Sequence, residues 1–174
     1  MKKFFFLILP LLLSTLSFAA FDNGKFNYGR QWAGNLTASD VSNKGLSHIA
    51  IWLGDNEKYN EYWEGAMMGV CKEANLTPVI YAYVIAEYDK DKGNADCDMG
   101  NPNHCTNGAE TIRKSWGNII ARYKSYAEGI AKDYGTSNPT IWLIEPDFIQ
   151  YSRTGDSIDT RFSQVGGGIP DDSL

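Results

Sequence analysis

Basic charge is in short supply in this chain, with 16 Lys and Arg against 21 Asp and Glu and a net charge of −5. That balance excludes nucleic acid as the expected partner, because phosphates need a basic surface. Histidine and cysteine are also scarce, two and three residues respectively. Only His104 lies near Cys97 and Cys105, and no Cys-x-x-Cys pair occurs, so zinc-ligand spacing is absent. A calcium loop starting at Asp89 fails as well. Its glycine, Gly93, falls one place early, and Gly100 stands where the closing acid belongs. There is no Gly-x-Ser-x-Gly elbow, no phosphate-binding glycine loop and no internal repeat. No cofactor is expected. Past the first twenty residues, no apolar run is long enough to cross a bilayer.

The single long apolar run, Phe4 to Leu13, follows Lys2 and Lys3 and precedes Ser17-Phe18-Ala19. A basic start, a short apolar stretch and small residues at a cleavage site make residues 1–19 a secretory signal peptide. The protein is expected to be secreted, extracellular or periplasmic, with no membrane contact once the signal is removed. Loss of Lys2 and Lys3 takes the 16 basic residues to 14 against 21 acidic ones, a net charge of −7. Export permits oxidation, so Cys97 and Cys105, close together in a polar stretch, are expected to pair. Cys71 falls on an apolar helix face and is expected to stay a buried free thiol.

Residues 20–47 read as an irregular, Gly- and Asn-rich lead, and residues 48–174 as the folded domain. His48 to Leu53 reads as a strand, and Gly54-Asp55-Asn56 as a turn opening a helix that runs to Ala74. Asn75 stops that helix. Pro78 to Tyr88, apolar and β-branched, reads as a second strand, followed by a long polar loop from Asp89 to Cys105. Thr106 or Asn107 then caps a helix with the stripe Ile112, Trp116, Ile119, Ile120, Tyr123, Ala127, Ile130 and Tyr134, closed by Gly135. Thr140 to Asp147 is the last strand, ended by Pro146, which cannot donate to a ladder. Strict alternation along it puts Ile141, Leu143, Glu145 and Asp147 on one face and Trp142 on the other. Strands separated by helices imply an α/β fold with a parallel sheet. Three strands cannot close a barrel, and Ile169 to Leu174 reads like the opening of a further helix, so the chain is expected to be part of a longer enzyme.

Several motifs, in order, resemble glycoside hydrolase family 6, the inverting β-1,4-glucanases and cellobiohydrolases. Trp52-Leu53-Gly54-Asp55 is similar to that family's Trp-Leu-Asp. Val79-Ile80-Tyr81 is similar to Val-Val-Tyr, and Ala95-Asp96-Cys97 to Arg-Asp-Cys. Thr106-Asn107-Gly108 with Glu110 resembles Ser-Asn-Gly-Glu, and Tyr123-Lys124-Ser125-Tyr126 resembles Tyr-Lys-x-Tyr. Ile144-Glu145-Pro146-Asp147 matches the Glu-Pro-Asp strand end. The chain departs from the pattern in a longer stretch over 82–94, in Ala95 for arginine, and in Phe148 for serine. The family's cysteine past the last strand and the second half of its barrel are also missing. The resemblance implies the N-terminal portion of a distorted parallel β/α barrel acting on β-1,4-glucan, a polysaccharide or oligosaccharide partner. The alternative is a non-catalytic carbohydrate-binding protein on a degenerate barrel.

The resemblance also implies roles. Inversion needs a carboxylic acid to protonate the leaving oxygen and room for a water on the opposite face. Asp147 would be that acid, against the plainer reading of a turn cap. Asp96 would be a helper carboxylate that keeps Asp147 protonated, against one more solvated loop acid. Trp52 would stack on a sugar ring or else be core. Tyr81 or Tyr83 would lie near the reacting sugar, and the sequence does not choose between them. Glu145 would be an interior hydrogen-bonding residue that orients the strand end, grouped with Trp52, Tyr81 and Tyr83 as part of the substrate-binding set. Trp32 is a further aromatic platform by residue type alone.

Overall fold

The computed structural model describes residues 29–97, 99–100, 102–146 and 148. They form a four-stranded, all-parallel sheet with helices, an α/β architecture. In chain order the elements are β1 (Gly29–Gln31), α1 (Ala38–Val41), β2 (His48–Leu53), α2 (Glu64–Ala74), β3 (Thr77–Ala82), α3 (Val84–Asp91), α4 (His104–Asp133) and β4 (Ile141–Ile144). Each strand lies beside the one before it, in the order β1-β2-β3-β4. The residues assigned to a signal peptide lie outside the described residues, and so does Asp147.

Burial alternates along the central strands, as pleating requires when one face is covered and the other is not. Ile49, Ile51 and Leu53 on β2, and Pro78, Ile80 and Ala82 on β3, are buried. They pack with Met67, Met68 and Cys71 of α2 and with Ile112, Ile119, Tyr126 and Ile130 of α4. Ala50, Trp52, Val79 and Tyr81 take the alternate positions and are less covered. Trp142 packs against the core, on the face away from Leu143, as the alternation predicts. The expected Cys97–Cys105 disulfide is present, with Cα atoms 5.2 Å apart. Cys71 is buried and free, and burial pushes its thiol up to about 12.

Several boundaries differ from the sequence reading, each for a local reason. The lead is not wholly irregular: it supplies β1, and Thr37 and Asp40 form a capping box for α1. The helix predicted to open at Gly54 begins at Glu64. Tyr59, inside the span read as helix, instead lies over Gly129 of α4, where an added Cβ would meet the tyrosine ring at 2.2 Å. The Tyr59 hydroxyl donates to Asp133 Oδ2 at 2.8 Å, so a tertiary contact overrides the periodic pattern. Asn75 ends α2 as expected, in the left-handed conformation (φ 54°).

The predicted strand from Pro78 to Tyr88 is in fact two elements. β3 ends at Ala82, and Val84, Ile85, Ala86, Tyr88 and Asp89 are buried as part of α3. The polar loop is correspondingly shorter. Asn103, not Thr106 or Asn107, caps α4, in a capping box with Thr106 as the third helical residue. On α4, Ala127 is exposed, and Arg122 and Tyr126 take the buried positions beside it. β4 covers only the middle of the predicted final strand.

The loop between α3 and α4 is held by covalent and polar ties. Asp89 and His104 are both 1% exposed, with Nδ1 and Oδ2 2.7 Å apart. Asp89 also accepts from Asn94 Nδ2 at 2.6 Å and from the Thr111 hydroxyl. Burial opposes its ionisation, but the hydrogen bonds from His104, Thr111 and Asn94 outweigh it and hold the carboxyl below its ordinary range. The disulfide closes a short loop, with a sequence separation of 8. Chain entropy for a loop of that length gives about 2.5 kcal/mol. Cys105→Ser is therefore expected to lower unfolding stability by about that amount in urea titrations. Reductant should bring the wild type down to the level of the variant. Equal stability of the two under oxidising conditions would rule this contribution out.

Candidate functional site

The C-terminal ends of parallel strands are where ligands gather in open α/β sheets and in β/α barrels, because loops there can vary without disturbing the ladder. A cleft of about 320 Å³ lies at that edge, lined by Gln31 and Trp32 from the end of β1, by Trp52 and Asp55 from β2, and by Trp63, Tyr83 and Glu87. Gly54 makes the turn that carries Asp55 to it. Its φ is +134°, and a Cβ there would meet the Tyr83 carbonyl oxygen at 2.5 Å. Gly34 does similar work for Trp63, whose ring occupies the place a Cβ at position 34 would fill.

Trp52 is 54% exposed, a large apolar surface at the mouth of the cleft. Its ring stacks on Tyr81 (centroids 5.7 Å, planes 15° apart) and on Tyr83 (4.8 Å, 10°). The register explains the first pair, since Trp52 is directly opposite Tyr81 in the parallel ladder. Tyr83 follows two residues later on the same side, past the end of β3. Both tyrosines the sequence offered therefore join one aromatic shelf with Trp52. Trp32 differs from the exposed platform its residue type suggested: it is 5% exposed and packs edge-on against Trp63 at 6.1 Å.

Glu145 does not share a face with Leu143. Its φ of 42° turns the chain out of the extended conformation, so alternation stops at Ile144. The side chain, 3% exposed, swings toward the helices. Oε1 accepts from the Ile85 backbone N–H at 2.8 Å and from the Tyr123 hydroxyl at 2.6 Å. The carboxylate thus caps the start of α3 from another strand, where unpaired N–H groups favour an anion. It lies in the interior and hydrogen-bonds there, as the reading of a residue that orients the strand end has it. Burial is the main influence and pushes its carboxyl up to about 7, with the Tyr123 and backbone hydrogen bonds opposing.

Asp96 stands just outside the cleft. Lys90 Nζ is 2.7 Å from Glu87 Oε1 and 3.6 Å from Asp96 Oδ1, so one lysine links a cleft carboxylate to Asp96. His104 Nε2 is 3.4 Å from the same Asp96 oxygen, and Asp96 is 53% exposed. Asp147 lies outside the described residues, so its distance from these groups is not part of the geometry. Among the described residues, no group of three or more His, Cys, Asp or Glu could hold a metal ion.

Sequence reasoning named Trp52, Tyr81 and Tyr83 but passed over Trp63 and Glu87. A signal for Glu87 was there. Glu87, in the stretch read as strand, and Lys90, in the stretch read as loop, are three residues apart, the spacing of a helical ion pair. No family model matches the chain, and no curated protein or solved structure does either.

The Glu145 carboxyl gives a pH test with a fixed sign. Its folded value is raised above the unfolded one, so its contribution is fully present below pH about 4.5. That contribution is lost as pH rises through about 7. Over that window the wild type is expected to lose about 3 kcal/mol relative to Glu145→Gln, which does not titrate. Parallel pH–stability curves for the two proteins would show that Glu145 is not the titrating group.

Proposed function

We propose that this protein is a secreted, glycoside-hydrolase-like protein that binds a β-1,4-glucan chain in the aromatic cleft and hydrolyses it with inversion. The observation that carries the reading is the exposed Trp52 shelf, stacked on Tyr81 and Tyr83, at the C-terminal edge of a parallel sheet. A pyranose ring has an apolar face of C–H groups, and a flat exposed indole is the side chain that covers it best. The disulfide is compatible with export, and no described helix is long and apolar enough to cross a membrane. Sequential parallel strands with a packed helical layer are compatible with the first part of a β/α barrel.

The reaction rests on the motif resemblance. Asp147 serves as the general acid toward the leaving oxygen, and Asp96 as the helper that repels its ionisation and positions water. Glu145 would support Asp147 indirectly, by fixing the end of β4 that precedes it in the chain. The second reading, a carbohydrate-binding protein without hydrolysis, is favoured by the placement of Asp96. That side chain faces Lys90 and His104 and does not line the cleft.

Titration of the secreted chain with cello-oligosaccharides, followed by tryptophan fluorescence, tests the binding. Trp52→Ala is expected to weaken it roughly ten-fold, about 1.4 kcal/mol. Unchanged affinity in that variant would sink the cleft as the binding site. For the reaction, Asp147→Asn is expected to slow release of reducing ends from amorphous cellulose by about 100-fold or more. Cleavage at the wild-type rate would remove Asp147 from the mechanism. Binding by the wild type with no cleavage over long incubation would select the second reading.

A further inference from the structure

The cleft contains more than an aromatic platform, and its polar lining says which ring it takes. Two acidic residues line it from different elements: Asp55 beyond the end of β2, and Glu87 from α3. Among the described residues that line it, none is Lys, Arg or His. Lys90 holds Glu87 through Nζ at 2.7 Å, which fixes the direction of that carboxylate. On the wall of the same cleft, Trp32 is nine-tenths buried, and its indole N–H meets no acceptor. A buried donor without a partner is costly and marks a place where a ligand or ordered water completes the set.

Taken together, these groups specify a ligand with a flat apolar face, several hydroxyl donors and at least one hydroxyl acceptor. It must carry no negative charge, because two acidic residues already line the walls. At about 320 Å³ the space is at the small end of the range for ligand sites, which suits one ring and not a long run of rings. We infer that Glu87 and Asp55 are substrate-contacting residues. They accept hydroxyl hydrogen bonds from a single uncharged sugar ring held between Trp52 and Trp63, and they exclude uronic acids from that position. Charge-assisted O–H···O⁻ bonds are the strong ones, and like charges placed side by side disfavour the wrong partner. Glu87 lies in the 82–94 segment by which this chain departs from the family pattern, so the motifs alone do not point to it.

This inference rests on the glycan reading above, and the experiment separates the two. Wild type, Glu87→Gln, Asp55→Asn, Lys90→Ala and Trp52→Ala are each titrated by calorimetry with cellobiose, cellohexaose and a trigalacturonate. Glu87→Gln and Asp55→Asn are each expected to weaken binding of both cello-oligosaccharides five- to twenty-fold, by the same factor for the short and the long ligand. The double variant gains measurable trigalacturonate binding that the wild type lacks. Lys90→Ala, which loosens Glu87 without removing it, loses less than Glu87→Gln. Wild-type affinity in both carboxylate variants, with binding lost in Trp52→Ala, overturns this inference and leaves the glycan reading standing. So does trigalacturonate binding by the wild type as tightly as cello-oligosaccharide. A wild type that binds no glycan overturns both. Asp55→Asn lies on a separate element and decides the matter alone should Glu87→Gln unfold.

Discussion

One buried carboxylate fixes the relation between the last strand and the two helices that precede it. Glu145 leaves β4 on a left-handed turn, and its Oε1 takes the Ile85 N–H and the Tyr123 hydroxyl together. Its own N–H bonds to the Ala82 carbonyl at 2.9 Å, extending the β3–β4 ladder by one step. A single residue therefore joins β3, β4, the first turn of α3 and the middle of α4. The start of a helix has N–H groups with no partner of their own, and burying them without an acceptor costs more than the hydrogen bonds gain. α3 has no capping side chain at Tyr83, so the cap comes from across the sheet. Because α3 carries Glu87, the cleft inherits its geometry from a residue that never faces it.

The far end of α3 is secured by a second buried acid. Asp89 pairs with His104 at the start of α4 and collects Asn94 and Thr111. Arg122 closes the same helix pair from the side, donating to the Gly54 carbonyl at 2.9 Å and to Asp91 Oδ2 at 2.6 Å. The Gly54 contact is the informative one. It pins the turn that delivers Asp55, so the two acidic residues of the cleft are positioned by side chains on α4 acting at two different points. Asp89 is 1% exposed, so loss of His104 leaves a buried carboxylate short of a partner, which costs more than the hydrogen bond itself contributes. Between α3 and α4 the disulfide and these hydrogen bonds tie the described residues to the two helices.

What the sequence made legible was periodic or local. The β2 strand, the stop at Asn75, the apolar stripe of α4 and the cysteine pair were all readable, since each depends on neighbours a few residues away. β1 was not, because Gly29-Arg30-Gln31 has no strand propensity, and only pairing with β2 makes it one. Continuous apolar runs are ambiguous between a buried strand and a buried helix. In Pro78 to Tyr88 the border falls at Tyr83 because Glu145, some sixty residues later, supplies the cap. The same residue defeated the alternation rule in β4, where a positive φ at a non-glycine position turned its side chain to the other face. Both errors have one source, a contact between residues far apart in sequence. Of the site, the aromatic shelf was legible by residue type and register. Glu87 was hidden by the strand reading, and the pairing of Trp63 with Gly34 has no sequence signature.

Why a cleft forms at this edge follows from the same geometry. Parallel strands all end on one side, so every connection into the following helix begins there, and each can bring one side chain toward a common point. Here β1 brings Trp32, β2 brings Trp52 and Asp55, and β3 brings Tyr83 and then Glu87 from the helix that follows at once. The short step from β3 to α3 matters most. A longer loop would let Glu87 move by several ångströms and turn away from Trp52. With Tyr83 alone between strand and helix, stacked at 4.8 Å on Trp52 while its N–H bonds the Leu53 carbonyl at 2.8 Å, the aromatic platform and the carboxylate are set in one rigid unit. That rigidity supplies orientation before a ligand arrives, so less freedom is lost when one binds.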